Sequence, residues 1–162
     1  MATEGQHIAD TIDRNLRQLV DELRGVPDEE LNRPLDIQPS NTLYQLGFHV
    51  LGSARYWAIT LAGGEDFHRD RPAEFVSSGS GGGLLADLEA LVERVHAQLD
   101  PLDSGDMEAR VADQAGFRPG SRGDRDMTLR GSLLHALEHT ALHLGHAQIS
   151  RQLLGYGPVQ ED

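Results

Sequence analysis

The chain has 162 residues, a formal net charge of −12, eight histidines and no cysteine. Its length predicts one domain over residues 1–162, and the lack of cysteine excludes disulfides, thiolate metal ligands and a cysteine nucleophile. The acidic charge disfavours nucleic-acid binding, and no apolar run approaches the ~20 residues of a membrane span. We therefore expect a cytoplasmic protein with no signal peptide, no membrane partner and no nucleic-acid partner.

The first half of the chain contains two amphipathic helical patterns. Residues 3–24 carry apolar side chains every three or four positions and stop at a glycine followed by a proline. The second pattern begins at Ser40 or Asn41, either of which is a good N-cap, and runs to about Ala62. Both patterns predict helices with one buried face.

The second half contains two more helical patterns, separated by a long connection. One covers residues 82–99, and the other starts near Thr128, a good N-cap, and ends before Gly155. Residues 102–126 hold few apolar side chains and predict either a long loop or two short strands. Four amphipathic helices with little strand signal predict an all-α fold, a four-helix bundle with a long loop between its third and fourth helices.

Half of the histidines lie in the last helical pattern, at His135, His139, His143 and His146. At ~100° per residue, all four fall within about 80° of one helix face. Two imidazoles one turn apart can share a metal ion, for which a third ligand must come from another element. A polar stripe without a metal, or a metal kept only for stability, would produce the same spacing.

His49 is the candidate third ligand, because it falls near the apolar stripe of the second helix. A lone inward histidine is more often a hydrogen-bonded core residue than a ligand. Facing helices of a bundle do assemble metal sites in the core, however, so the histidines of the last helix favour a ligand role. Two glycines near His49, Gly47 and Gly52, indicate either close helix packing or space beside a site.

A family resemblance extends over nearly the whole chain, and four short stretches carry it. They are DEELNRP at 28–34, NTL at 41–43 leading to His49, RDRPAEF at 69–75 and EHTALHLGH at 138–146. With these motifs the chain resembles the DinB-like superfamily of metal-binding four-helix bundles, particularly its small actinobacterial-type members. The last motif is the most specific of the four.

The resemblance implies a three-histidine metal site made of His49, His139 and His143. Zinc and nickel both suit imidazole ligands, and the sequence does not choose between them. The resemblance also implies a thiol transferase or related isomerase that uses a low-molecular-weight thiol such as mycothiol or bacillithiol, and it suggests a homodimer. Family members often have glutamine where this chain has His146, so a supporting role, a fourth-ligand role and a surface role all stay open for that residue.

Four other residues near the expected site are assigned from the residues themselves. We expect His135 to support a ligand or a substrate from outside the coordination sphere. Glu138 lies about 100° from His139 on the helix and is either solvent-exposed or in contact with a histidine of another helix. Arg69 and Arg71 could hold an anionic substrate, but loop surface charge is their ordinary interpretation.

Two further functions compete with the thiol transferase. A metal-dependent hydrolase would use metal-bound hydroxide, but it needs a general base, for which Glu138 is the one clear candidate. A non-catalytic, stress-linked protein that captures a metal or a small ligand needs no such group. All three predict a small-molecule partner.

Overall fold

The computed structural model describes residues 1–37, 39–111 and 127–159. In these ranges the chain is helical without any strand, and an isolated antiparallel bridge joins Arg110 to Thr128. The α-helices are α1 (Glu4–Leu23), α2 (Asp28–Leu31), α3 (Leu43–Ala54), α4 (Arg71–Glu74), α5 (Gly81–Leu99) and α6 (Leu129–Leu153). The four long ones, α1, α3, α5 and α6, correspond to the four predicted helices, and the predicted all-α bundle is confirmed.

The long helices pack so that α1 and α3 each lie between α5 and α6. This arrangement places α3 beside α6, the two helices that carry the candidate ligands. The apolar stripe of α1 is fully buried against its neighbours, as its spacing predicts. Gly47 of α3 is a packing glycine, because a Cβ atom there would lie 2.9 Å from Leu23 and 3.0 Å from Leu84.

Side-chain caps mark where three of the four long helices begin, α1, α3 and α6. Thr3 caps α1 and Thr128 caps α6, the latter by accepting a hydrogen bond from the Gly131 backbone N–H. The prediction for the second helix was wrong by one or two residues, since its cap is Thr42 rather than Ser40 or Asn41. The Thr42 hydroxyl accepts from the Gln45 N–H at 3.1 Å, and the Gln45 side chain accepts from the Thr42 N–H at 3.0 Å.

The end of the second helix is not regular. After Ala54 the chain continues as a π-helical segment, Arg55–Thr60, and turns at Gly63, whose φ is +80°. Segments of π-helix are rare, and many of them lie near functional sites. Here the segment lays the ring of Trp57 against that of His135, with centroids 4.4 Å apart, and the Ser132 hydroxyl donates to the Trp57 carbonyl.

The connection between α5 and α6 is described only in part. Before residue 112 it forms a 3₁₀ turn, Asp106–Glu108, that buries Met107 in the core. Residues 112–126, which make up most of the predicted loop or strand pair, lie outside the described residues. Among the helices described, none has the combination of length and apolar character that a membrane span requires.

Candidate metal centre

Three histidines from two neighbouring helices converge between α3 and α6. Potential ligand atoms of His49, His139 and His143 all lie within 4.8 Å of one another, and the two Nε2 atoms of His49 and His139 are 3.1 Å apart. His139 and His143 are one turn apart on α6, which brings their rings side by side, tilted by 59° with centroids 4.4 Å apart. The predicted trio therefore meets in space, in an arrangement that could hold a metal ion.

The ring of His49 is held from behind by a buried ion pair. Its Nδ1 lies 2.6 Å from Oε2 of Glu74, and Arg69 donates to both carboxylate oxygens of Glu74, at 2.7 and 2.8 Å. A carboxylate can only accept, so Nδ1 of His49 carries the hydrogen of this bond. The lone pair of Nε2 then points toward the other two histidines, as in carboxylate–histidine–metal arrangements.

The two α6 histidines are in the neutral form that a metal requires. Burial, together with the positive charge of neighbouring groups, lowers the pKa of His139 to about 2 and that of His143 to about 4. Within the described part of the chain, Nδ1 of His139 is buried without a hydrogen-bond partner. Neutral imidazoles that converge while leaving a buried nitrogen unpartnered fit a metal site better than a hydrogen-bonded polar core.

Glu74 stays ionised despite its burial. Burial by itself would raise the pKa of this carboxyl group, but the hydrogen bonds from His49 and Arg69 and the charge of Arg69 outweigh it and lower the pKa. The pair of Glu74 and Arg69 is therefore neutral as a whole. A dication bound by the three imidazoles would keep its charge, which favours an anionic group on its open side.

The other predicted residues flank the trio. His135 packs between Trp57 and His139, and burial lowers its pKa. His146 is exposed, with its Nδ1 3.3 Å from Nδ1 of His143. Glu138 is exposed, and its charge acts on His135. Supporting roles for these three residues stay predictions.

The assignment of Arg69 to loop surface charge was wrong, and the sequence argument missed Glu74 altogether. The Arg69 side chain is only 11% exposed, and that of Glu74 5%. Both belong to the 69–75 motif, where charged residues alternate as they do on a solvated loop. The motif's place in the family resemblance was the one signal that could have singled them out. Arg71 is exposed and lies over the Phe75 ring, 5.0 Å from its centroid.

Gly52 provides the space that Glu74 occupies. A Cβ atom on Gly52 would lie 2.4 Å from Oε1 of Glu74, closer than real Cβ contacts come. The two glycines of the second helix therefore have different roles. Gly47 allows close helix packing, and Gly52 leaves space beside the site.

A cavity of about 300 Å³ borders the same carboxylate. Glu74 and Gly52 line it together with apolar residues such as Phe48, Leu51 and Phe67, whereas none of the three clustered histidines does. The cavity is thus a neighbour of the histidine cluster and not its open side.

Comparisons with known proteins agree with this architecture. A family model described as the DinB superfamily matches residues 9–147. A solved structure, a conserved protein from Enterococcus faecalis, superposes with a TM-score of 0.69 at 18% identity, covering 95% of this chain and 98% of that one. At this identity the likeness shows the fold alone. No significant sequence match was found among proteins with curated functions.

Proposed function

The chain belongs to the DinB superfamily, and from this premise we propose that it binds one divalent metal ion through His49, His139 and His143. The observation that carries the proposal is the convergence of three imidazoles from α3 and α6 within 4.8 Å. Two of them are neutral because their pKa values lie far below the ordinary histidine value. Such a donor set suits zinc or nickel and contains no oxygen ligand of the kind that magnesium or calcium prefers.

We further propose that the metal serves catalysis and not only stability. Three protein ligands leave at least one coordination position open, which is the pattern of catalytic zinc sites. His139 and His143 are only partly buried, so the cluster is reachable from the surface of α6. The positive charge of Arg71 acts on His143, in a chain whose net charge is −12. A local positive field of this kind would favour an anionic ligand.

The reaction we propose is transfer of a low-molecular-weight thiol of the mycothiol or bacillithiol type. The metal would lower the pKa of the bound thiol and present its thiolate to an electrophile. The thiol would release its proton to solvent, and its sulfur would form a new S–C bond while the leaving group departs with its electron pair. The chain has no cysteine of its own, so the thiol would be supplied by the cofactor.

A hydrolase is less well supported than a thiol transferase. Glu74 is engaged by His49 and Arg69, and Glu138 is exposed beside His135, so neither carboxylate is placed as a general base at the trio. A non-catalytic protein that captures a metal or a small ligand uses the same trio and needs no base. The two experiments below separate these functions.

The metal proposal is tested by elemental analysis of the purified protein. We expect about one zinc or nickel ion per wild-type chain and less than about a tenth of that in His143→Ala, because two imidazoles hold a metal far more weakly than three. His7→Ala is a matched control, since His7 is an exposed histidine on α1. Equal metal content in all three proteins would refute the site.

The reaction is tested with the metal-loaded protein, a mycothiol or bacillithiol analogue and an alkylating electrophile. A metal-dependent rate that His143→Ala loses would support the transferase. A rate with a reporter ester but none with the thiol would support the hydrolase instead. Tight metal retention without turnover of either substrate would support the binding protein.

A further inference from the structure

We propose that Glu74 and Arg69 form a positioning pair that fixes the tautomer of His49 and so sets the metal affinity of the cluster. The inference rests on the proposed metal site and assigns roles to residues that never touch the metal. Glu74 lies 25 positions after His49 in the chain, yet its carboxylate is 2.6 Å from the His49 ring. Arg69 approaches the same ring, with Nη2 3.3 Å from Nδ1.

The carboxylate of Glu74 determines which tautomer His49 adopts. A neutral histidine with no fixed partner can carry its hydrogen on either nitrogen, and only the unprotonated nitrogen can bind a metal. The ionised Glu74 accepts a hydrogen and cannot donate one, which keeps the hydrogen on Nδ1. The Nε2 lone pair is then available on the side where His139 and His143 lie.

Arg69 and the short helix α4 hold the Glu74 carboxylate in place beside His49. Arg69 grips both oxygens of Glu74 in the bidentate manner that is the strongest form of this ion pair, and it keeps them from rotating away from His49. The short helix α4 presents Glu74 rigidly, because the Asp70 side chain caps it by accepting from the Ala73 N–H. The Ser77 hydroxyl donates to the Glu74 carbonyl at 2.8 Å.

The residues next to Glu74 and Gly52 of α3 also shape the surroundings of the His49 ring. Phe75 follows Glu74 and packs against the His49 ring, with centroids 4.6 Å apart. Gly52, one turn after His49 on α3, leaves the space into which Glu74 Oε1 fits. The ring is therefore held by a carboxylate at Nδ1 and an aromatic face, while Nε2 faces the histidines of α6.

Glu74→Gln is the variant that tests this pair. Glutamine has almost the same shape, but its amide can donate as well as accept and no longer neutralises Arg69, so both tautomers of His49 become accessible. We expect zinc affinity to fall about 10–100-fold, the usual range for outer-sphere partners of a metal-bound histidine. The measurement is a competition titration against a zinc-binding dye.

Imidazole ¹⁵N NMR of the metal-free protein reports the tautomer directly. We expect His49 to be in the Nδ1–H tautomer alone in the wild type. In Glu74→Gln we expect a mixture of the Nδ1–H and Nε2–H tautomers. A structural role alone would lower stability without changing this spectrum. A single tautomer in both proteins, or unchanged zinc affinity in Glu74→Gln, would overturn the inference.

A control variant and a second test variant accompany Glu74→Gln. Glu65→Gln is the matched control, because Glu65 makes a similar pair with Arg55, at 2.6 and 3.0 Å, without touching a candidate ligand. Gly52→Ala keeps every charge but pushes the Glu74 carboxylate away, so it should weaken zinc binding as Glu74→Gln does, and normal binding would count against the inference.

The NMR experiment also separates this inference from the proposed function. A tautomer change in a protein that binds no zinc would refute the metal site while supporting the pair as a device that orients His49.

Discussion

The two helices that supply the candidate ligands hold their histidines in different ways. On α3, His49 is 2% exposed, and its ring is fixed by Glu74 and packed against Phe75. On α6, His139 and His143 are only partly buried, and neither has a carboxylate partner among the described residues. We call His49 and its partners the α3 half of the site, and His139 with His143 the α6 half. Neighbouring side chains hold the α3 half in place, and the α6 half lacks such support.

This difference indicates how the site would respond to metal. The α3 half is preorganised, since Glu74 and Phe75 hold His49 through contacts that involve no metal. The α6 half keeps two neutral imidazoles close together, with one buried nitrogen unpartnered, an arrangement that gains most when a cation arrives. Substitutions in the two halves should therefore affect different quantities.

The largest effect on the metal-free protein is expected for His49→Ala. The substitution removes a fully buried side chain and its hydrogen bond to a charged group, so it should lower the free energy of unfolding by about 3 kcal/mol. Urea unfolding followed by circular dichroism in the presence of a chelator measures this. A loss below about 1 kcal/mol would show that the α3 half is not preorganised by these contacts.

His139→Ala should show the opposite behaviour. Without metal it should cost about 1–2 kcal/mol, less than His49→Ala, because it removes the contact between its Nε2 and His49 but no hydrogen bond to a charged group, and its Nδ1 has no partner in the described structure. With free zinc at about 100 times the Kd, the wild type should gain about 2.7 kcal/mol and the variant nothing. If the variant loses as much stability as His49→Ala in the presence of chelator, the contrast between the two halves is wrong.

The flanking histidines should have smaller effects on zinc affinity. His135→Ala should weaken binding about tenfold, the low end for outer-sphere groups, because His135 packs directly against His139. His146→Ala should change it less than about threefold, because its side chain is exposed. A complete loss of metal in His146→Ala would instead make His146 a fourth ligand.

The smallest effect concerns His96, a half-buried histidine of α5, a helix that carries none of the candidate ligands. Burial would lower its pKa, but hydrogen bonds to Asp100 and Asp13 and their charges raise it overall. Because the folded-state pKa is raised, the stabilising contribution is complete below the ordinary value of 6.5 and disappears as the pH rises through the folded-state pKa. His96→Asn should therefore cost about 0.5 kcal/mol near pH 6 and nothing near pH 9. The same loss at both pH values would contradict this account.

Much of the molecule was predictable because it depends on local patterns. The apolar spacing of the long helices, the cap at Thr128 and the one-turn spacing of His139 and His143 are properties of neighbouring residues on one helix. The cap at Thr42 was missed because three adjacent residues, Ser40, Asn41 and Thr42, can all cap a helix. Only the paired hydrogen bonds with Gln45 distinguish them.

The sequence by itself determined the bundle, since helical periodicity places residues on faces and buried faces must meet. The family resemblance carried by its motifs then singled out His49, His139 and His143 among the histidines. Only the tertiary structure decided that Glu74 and Arg69, which look like surface charges in a loop, are buried behind His49. It decided also that Gly52 makes room for them. The physical reason is that a hydrogen bond between a loop and a helix depends on distances in space that no local spacing encodes.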